Sequence, residues 1–207
     1  MKKKLLSAVV LCSLGIVGCG GDDNTNKPPV VPKFNTSDNI RNYLEGKKML
    51  MDGTNIPTHP NGFDENLDLG PNSQCYNKVE MVVGAGAFQV SSTAGSLKDV
   101  NPTTKVGTCD NSQANGAPQV FTTNAVLIDK VKEDASCFDV LFTYTSFKQQ
   151  GRGSLSADGK TLSLELFFEG RATGATCEAG GVGSGNIVHL GQPFTGNAVQ
   201  VYTVSAQ

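Results

Sequence analysis

The chain predicts an all-β fold, an antiparallel β-barrel of the up-and-down kind or a β-sandwich, with one short N-terminal helix and two disulfides. Three observations predict it. Leu162, Leu164, Leu166 and Phe168 alternate with Thr161, Ser163, Glu165 and Phe167, and Phe138, Val140, Phe142 and Tyr144 alternate with Asp139, Leu141, Thr143 and Thr145. That period of two turns one strand face to a core and the other mostly to water. Composition agrees: 24 Gly, 9 Pro and no Trp, with charged residues at 17%, exclude coiled coil, collagen and highly charged disorder. Four cysteines in the body of the chain, an even number, suit a stapled exported domain.

Taken in order, residues 1–18 read as a signal peptide, with Lys2, Lys3 and Lys4 as a positive start and an apolar run from Leu5 to Val17. The run is shorter than the ~20 apolar residues that a membrane-spanning helix needs. It ends at Ile16-Val17-Gly18-Cys19, which resembles the lipobox of bacterial prolipoproteins, usually Leu-Ala/Ser-Gly/Ala-Cys. The resemblance implies that Cys19 takes a diacylglyceryl thioether, that the leader is cut before it, and that the new amine is acylated. Two or more fatty chains hold a protein at a bilayer essentially permanently. Gly20, in place of Asp, is what the enterobacterial members of that family carry when they pass to the outer membrane, so the expected location is the outer membrane, facing periplasm or cell surface.

Residues 19–34 follow as the lipidated cysteine and a disordered tether, Gly-, Asn- and Pro-rich and without apolar periodicity. Residues 35–207 are then a single β-rich domain. It opens on a short helix, with Thr36 or Ser37 as N-cap, Ile40, Tyr43 and Leu44 on one face and Gly46 near its end. Strands are expected around Val79 to Val83, Phe88 to Val90, residues 120–131, Phe138 to Thr145, Gly151 to Ser156, Thr161 to Phe168 and Val199 to Val204. Asp158-Gly159 predicts a type I′ turn between two of them. The stretch Tyr43-Leu44-Glu45-Gly46-Lys47-Lys48, a helix entering a first strand, resembles the opening of lipocalin-like barrels, although the Trp usual there is absent.

Cys75, Cys109, Cys137 and Cys177 would meet an oxidising compartment after export, which predicts two disulfides in one of three pairings. Proximity favours Cys75 with Cys109 and Cys137 with Cys177, each clipping an excursion and its return. Their spacing does not suit zinc, and no metal or other cofactor is expected.

Without the leader the chain carries 14 cationic against 19 anionic side chains, a balance that argues against a nucleic-acid partner. Chemistry has few footholds. His59 lies in a loop-like stretch, His189 near a possible strand, and no Gly-x-Ser-x-Gly stands near either. Asp64, Asn66 and Asp68 place oxygen donors at alternate positions, but Leu69 and Cys75 stand where a calcium loop needs Gly and a carboxylate. Residues 180–185, Gly-Gly-Val-Gly-Ser-Gly, neither follow a buried strand nor open a helix and read as a loop. Glu165 and Glu169 do not make an acid/base pair, because on a strand Glu165 faces away from the leucine face while Glu169 sits at a turn.

The expected function is therefore that of a membrane-anchored envelope lipoprotein with a non-catalytic binding domain. Its partner, besides the membrane reached through the N-terminal lipid, would be a small apolar ligand if the fold is a hollow barrel, or an envelope protein if it is filled. An enzyme acting on envelope or extracellular polymer, and a structural surface lipoprotein, are the alternatives.

Overall fold

The computed structural model describes residues 32–56, 63–64 and 75–207, without the side chains of Thr54, Phe63 and Asp64. Cys19, most of the tether, His59 and residues 65–70 of the acidic loop lie outside the described residues. The helix is Ser37–Leu44 (α1), and Thr36 caps it: its hydroxyl accepts from Asn39 N at 3.1 Å. Such a cap satisfies one of the four amides that a helix start leaves unbonded. Ile40 and Leu44, one turn apart, are fully buried, and Phe34 packs edge-on against Tyr43 at 4.8 Å.

The strands are β1 (Lys47–Asp52), β2 (Phe63–Asp64), β3 (Tyr76–Gly84), β4 (Ala87–Lys98), β5 (Val106–Ala114), β6 (Gln119–Thr122), β7 (Ala125–Asp129), β8 (Phe138–Thr143), β9 (Lys148–Leu155), β10 (Thr161–Phe168), β11 (Ala172–Thr173), β12 (Val188–His189), β13 (Gln192–Pro193) and β14 (Val199–Ala206). Eleven of them pair antiparallel in one sheet, and β11, β12 and β13 form a second, small one.

The large sheet closes on itself. β1 pairs with both β3 and β14, β14 with β10, β10 with β9, β9 with β8, and β8 with β7. From the other side β3 pairs with β4, and β4 with β6. β6 and β7 are one chain segment that changes neighbour at its middle. Thr123 N bonds Phe88 O and Asn124 N bonds Thr143 O, so the kinked strand joins the two sides of the ring. Eight strand positions follow one another in sequence order, the up-and-down arrangement, and eight strands enclose a space that side chains alone can fill. They do fill it: Met49, Met81, Phe138, Leu162, Leu164 and Tyr202 are each at most 2% exposed.

α1 closes one end of the ring. The Glu45 carboxylate accepts from Ala85 N and Gly86 N in the β3–β4 turn, and Tyr43 lies against Gly159 in the β9–β10 turn, where a Cβ would collide with the phenol. That turn differs from the expected type I′. Only Gly159 has positive φ, at 73°, while Gly159 N bonds Ser156 O and the Asp158 carboxylate accepts from Ser156 Oγ and Lys160 N. The longer four-residue loop relieves Asp158 of the left-handed conformation. At the other end β4 and β5 run on as a ribbon that Cys75–Cys109 staples to the start of β3, and in it Lys98 and Ser112 hold the half-buried Asp110 carboxyl down to about 2. The second bridge is Cys137–Cys177, so the pairing favoured by proximity is the one observed.

Burial holds the Tyr144 and Tyr202 phenols well above their ordinary range. The unfolded phenol ionises near pH 10, so these residues contribute stability that is complete below that pH and is lost as pH rises beyond it. An alkaline titration followed by ultraviolet absorbance, with Tyr144→Phe and Tyr202→Phe variants to assign the signals, should show Tyr144 and Tyr202 ionising only as the barrel unfolds, and their ionisation before unfolding would contradict the packing. Replacing Cys137 and Cys177 together by Ser should lower stability by about 2–4 kcal/mol in urea unfolding, chiefly by releasing the unfolded chain.

Candidate functional site

An outward position on a barrel wall normally meets water, yet Arg152 and Glu165 point outward from β9 and β10 and are buried, with side chains 0% and 4% exposed. The two residues are register partners. What covers them is the excursion of residues 169–198 between β10 and β14, which carries the small sheet and folds back over the wall. Arg152 Nε bonds Glu165 Oε2 at 2.6 Å, Nη1 donates to Gly180 O at 2.9 Å, Thr176 O at 3.3 Å and Gly174 O at 3.4 Å, and Nη2 donates to Ser184 O at 2.9 Å. Gly183 N donates back to Glu165 Oε2 at 3.2 Å. One guanidinium thus gathers four carbonyls of the excursion, a use of its forked donors that lysine has no geometry for.

Two further attachments hold the excursion. Cys177 is bridged to Cys137, and its amide donates to Asp139 Oδ1 at 2.7 Å. Under the small sheet lies a separate apolar cluster of Phe167, Ala172, Ala175, Ile187 and Ala198, with Phe194 against it. His189 belongs to this cluster, 5.6 Å from the Phe167 ring and 6.1 Å from the Phe194 ring, and is 5% exposed. Glu169 pairs with Lys148 at 3.3 Å, so the two glutamates four residues apart serve different partners.

Among the described residues, three concavities bear on function. Inside the barrel about 30 Å³ remains between Tyr144, Tyr202, Gln149 and Ser92, room for about one water. On the outer wall a groove of about 230 Å³ runs between Leu127 and Leu141 on one side and Ala172–Thr176 on the other. A cleft of about 500 Å³ lies within the excursion, between residues 182–185 and residues 195–197, with Ile187, Phe194 and Val199 as apolar lining and Glu165 at its base. The Gly-rich stretch that reads as a plain loop in sequence is therefore one wall of this recess. Its neighbour across the recess, Thr195-Gly196-Asn197, carries no sequence signal beyond its small polar residues.

The structure joins the predicted disulfide cysteines in two pairs and places His189 in a packed cluster. Comparison with protein families, with curated proteins and with solved structures finds no match.

The ion pair gives a direct expectation. Arg152→Met leaves the Glu165 carboxylate buried without its partner and should cost about 3–5 kcal/mol in urea unfolding. Arg152→Met with Glu165→Leu should recover a substantial part of that loss, and a double variant no more stable than the single one would show that the carbonyl bonds, rather than charge burial, set the cost.

Proposed function

We propose that the chain is an exported envelope lipoprotein, held at the outer membrane through lipid on Cys19, whose filled barrel is a rigid scaffold and whose binding surface lies outside it, on the excursion of residues 169–198. The observation that carries the reading is the lumen. A pocket that accepts an apolar ligand needs about 300–1,000 Å³, and the lumen recess among the described residues holds about 30 Å³. The space that a hollow barrel would offer is taken by Met, Leu, Phe and Tyr side chains.

The anchor is supported by the leader and the Gly18-Cys19 pair. Export is supported by two closed disulfides, which persist in oxidising compartments and are rare in the cytosol. The binding role is supported by cost: about 30 residues of irregular chain are fastened to the wall by a bridge, a buried ion pair and a second apolar cluster, more attachment than a simple connection between neighbouring strands needs. These attachments make a fixed surface, and a fixed surface loses little entropy on binding.

Cys19→Ser should abolish incorporation of labelled palmitate and leave the protein soluble or with its leader attached. Label entering that variant would refute the anchor. In an amide nuclear magnetic resonance titration with anilinonaphthalene sulfonate, the lumen residues Ser92, Gln149 and Tyr202 should show no saturable shift, and saturable shifts centred on them would refute the filled scaffold.

A further inference from the structure

The cleft between residues 182–185 and 195–197 has the donors and acceptors of a site for a neutral, polyhydroxylated ligand. At its base stands Glu165, 3% exposed, whose Oε2 is taken by Arg152 and by Gly183 N, while no described residue donates to Oε1. The recess therefore offers an acceptor whose charge is already balanced by a guanidinium 2.6 Å away. A cation gains little there, an anion meets a carboxylate, and a neutral hydroxyl can donate without a charge penalty. Among the described residues, no Lys, Arg or His lines the cleft.

Donors stand on the walls. The Gly185 and Gly196 amides bond to no described residue, and both residues line the recess. Gly185 is notable for a second reason. It needs no left-handed conformation, and a Cβ placed on it would meet nothing within 4 Å, so neither backbone geometry nor packing within the chain requires glycine there. Bare backbone facing open space lets a ligand approach closely. The apolar lining includes the half-buried Phe194, held edge-on against Phe167 at 5.3 Å. A carboxylate acceptor, amide donors and an aromatic side chain together suit a molecule with hydroxyls around its rim and carbon–hydrogen bonds on its faces. A pyranose ring has that pattern.

We propose that this cleft binds a neutral sugar, a hexose unit or short glycan, with Glu165 Oε1 accepting from a ring hydroxyl and the Gly185 and Gly196 amides donating to others. The proposal rests on the reading that binding takes place outside the barrel and names the ligand class for it. About 500 Å³ lies within the range of small-molecule sites.

The test is an amide nuclear magnetic resonance titration of the disulfide-bonded protein with free neutral disaccharides built from glucose, galactose, mannose or N-acetylglucosamine, each to about ten times an expected millimolar Kd. At least one should give saturable shifts centred on Gly183, Gly185, Gly196 and Asn197. Gly185→Ala should weaken that binding and Gly185→Leu should weaken it at least tenfold, with Tm unchanged in both. Leu127→Ser, on the outer groove, should leave it intact. Silence with every sugar, undiminished binding in Gly185→Leu, or shifts centred on the Leu127 groove would overturn the sugar assignment alone. Shifts centred on Ser92, Gln149 and Tyr202 would overturn both the assignment and the external-site reading, which separates the two failures.

Discussion

A buried arginine on the outside of a barrel is the constraint from which the rest of this architecture follows. Desolvating a guanidinium and a carboxylate costs several kcal/mol for each ion, and mutual attraction offsets that only when the remaining donors also find partners. Glu165 satisfies Nε alone. The other donors of Arg152 reach four carbonyls that belong to a single excursion, so the covering segment has to arrive in one conformation. A hydrophobic pair at these two positions would hold the same segment with less demand on its path. An ionic pair holds it in register, which is the specificity that buried polar groups contribute in the best-attested cases.

That constraint explains why two hydrophobic clusters exist where one would serve an ordinary barrel of this size. The lumen is closed by inward side chains and by α1, and it would be complete without the excursion. The second cluster exists because Phe167, like Arg152 and Glu165, points outward and needs cover. The Cys137–Cys177 bridge then ties the same segment to the start of β8, on the far side of the strand pair that carries the ion pair. The three attachments are of different physical kinds, and urea and reductant act on them differently.

Much of the wall was legible from residue alternation. The strands from Phe138 and Thr161 stand where their period of two places them, and Thr36, Ile40 and Leu44 act as cap and buried face of the helix as their spacing predicts. Alternation also explains what was misread. It assigns Glu165 to water because it compares a residue only with its neighbours along one strand, and nothing local announces that a segment ten or more residues away returns to cover it. Arg152, between Gly151 and Gly153, has the same difficulty, since a lone cation on a glycine-rich strand reads as solvent-facing. The two-residue strands β11, β12 and β13 are too short to show any period, and β5, rich in Asn, Ser and Gln, lacks the apolar face that marks a strand in sequence. The recess is less legible still, because its two walls lie about ten residues apart in sequence and are brought face to face by a hairpin anchored on buried His189.

The division between a filled inside and a fastened outside sets where recognition can occur. A barrel of eight strands has a lumen whose volume is fixed by strand number and side-chain size, so enlarging it means exchanging several large residues at once. A loop excursion fastened at a few points has no such limit, because residues between the fastenings can change while the ion pair, bridge and small cluster keep the frame. Residues 185–186 and 195–197 are such intervals, the first between Ser184, whose carbonyl accepts from Arg152, and Ile187 of the second cluster, the other between Phe194 and Ala198, which pack in that cluster. Gly183 and Ser184 hold one wall of the cleft to the ion pair, while Gly185 and residues 195–197 line it without such a bond, which is the arrangement expected when the scaffold supplies stability and the excursion supplies selectivity.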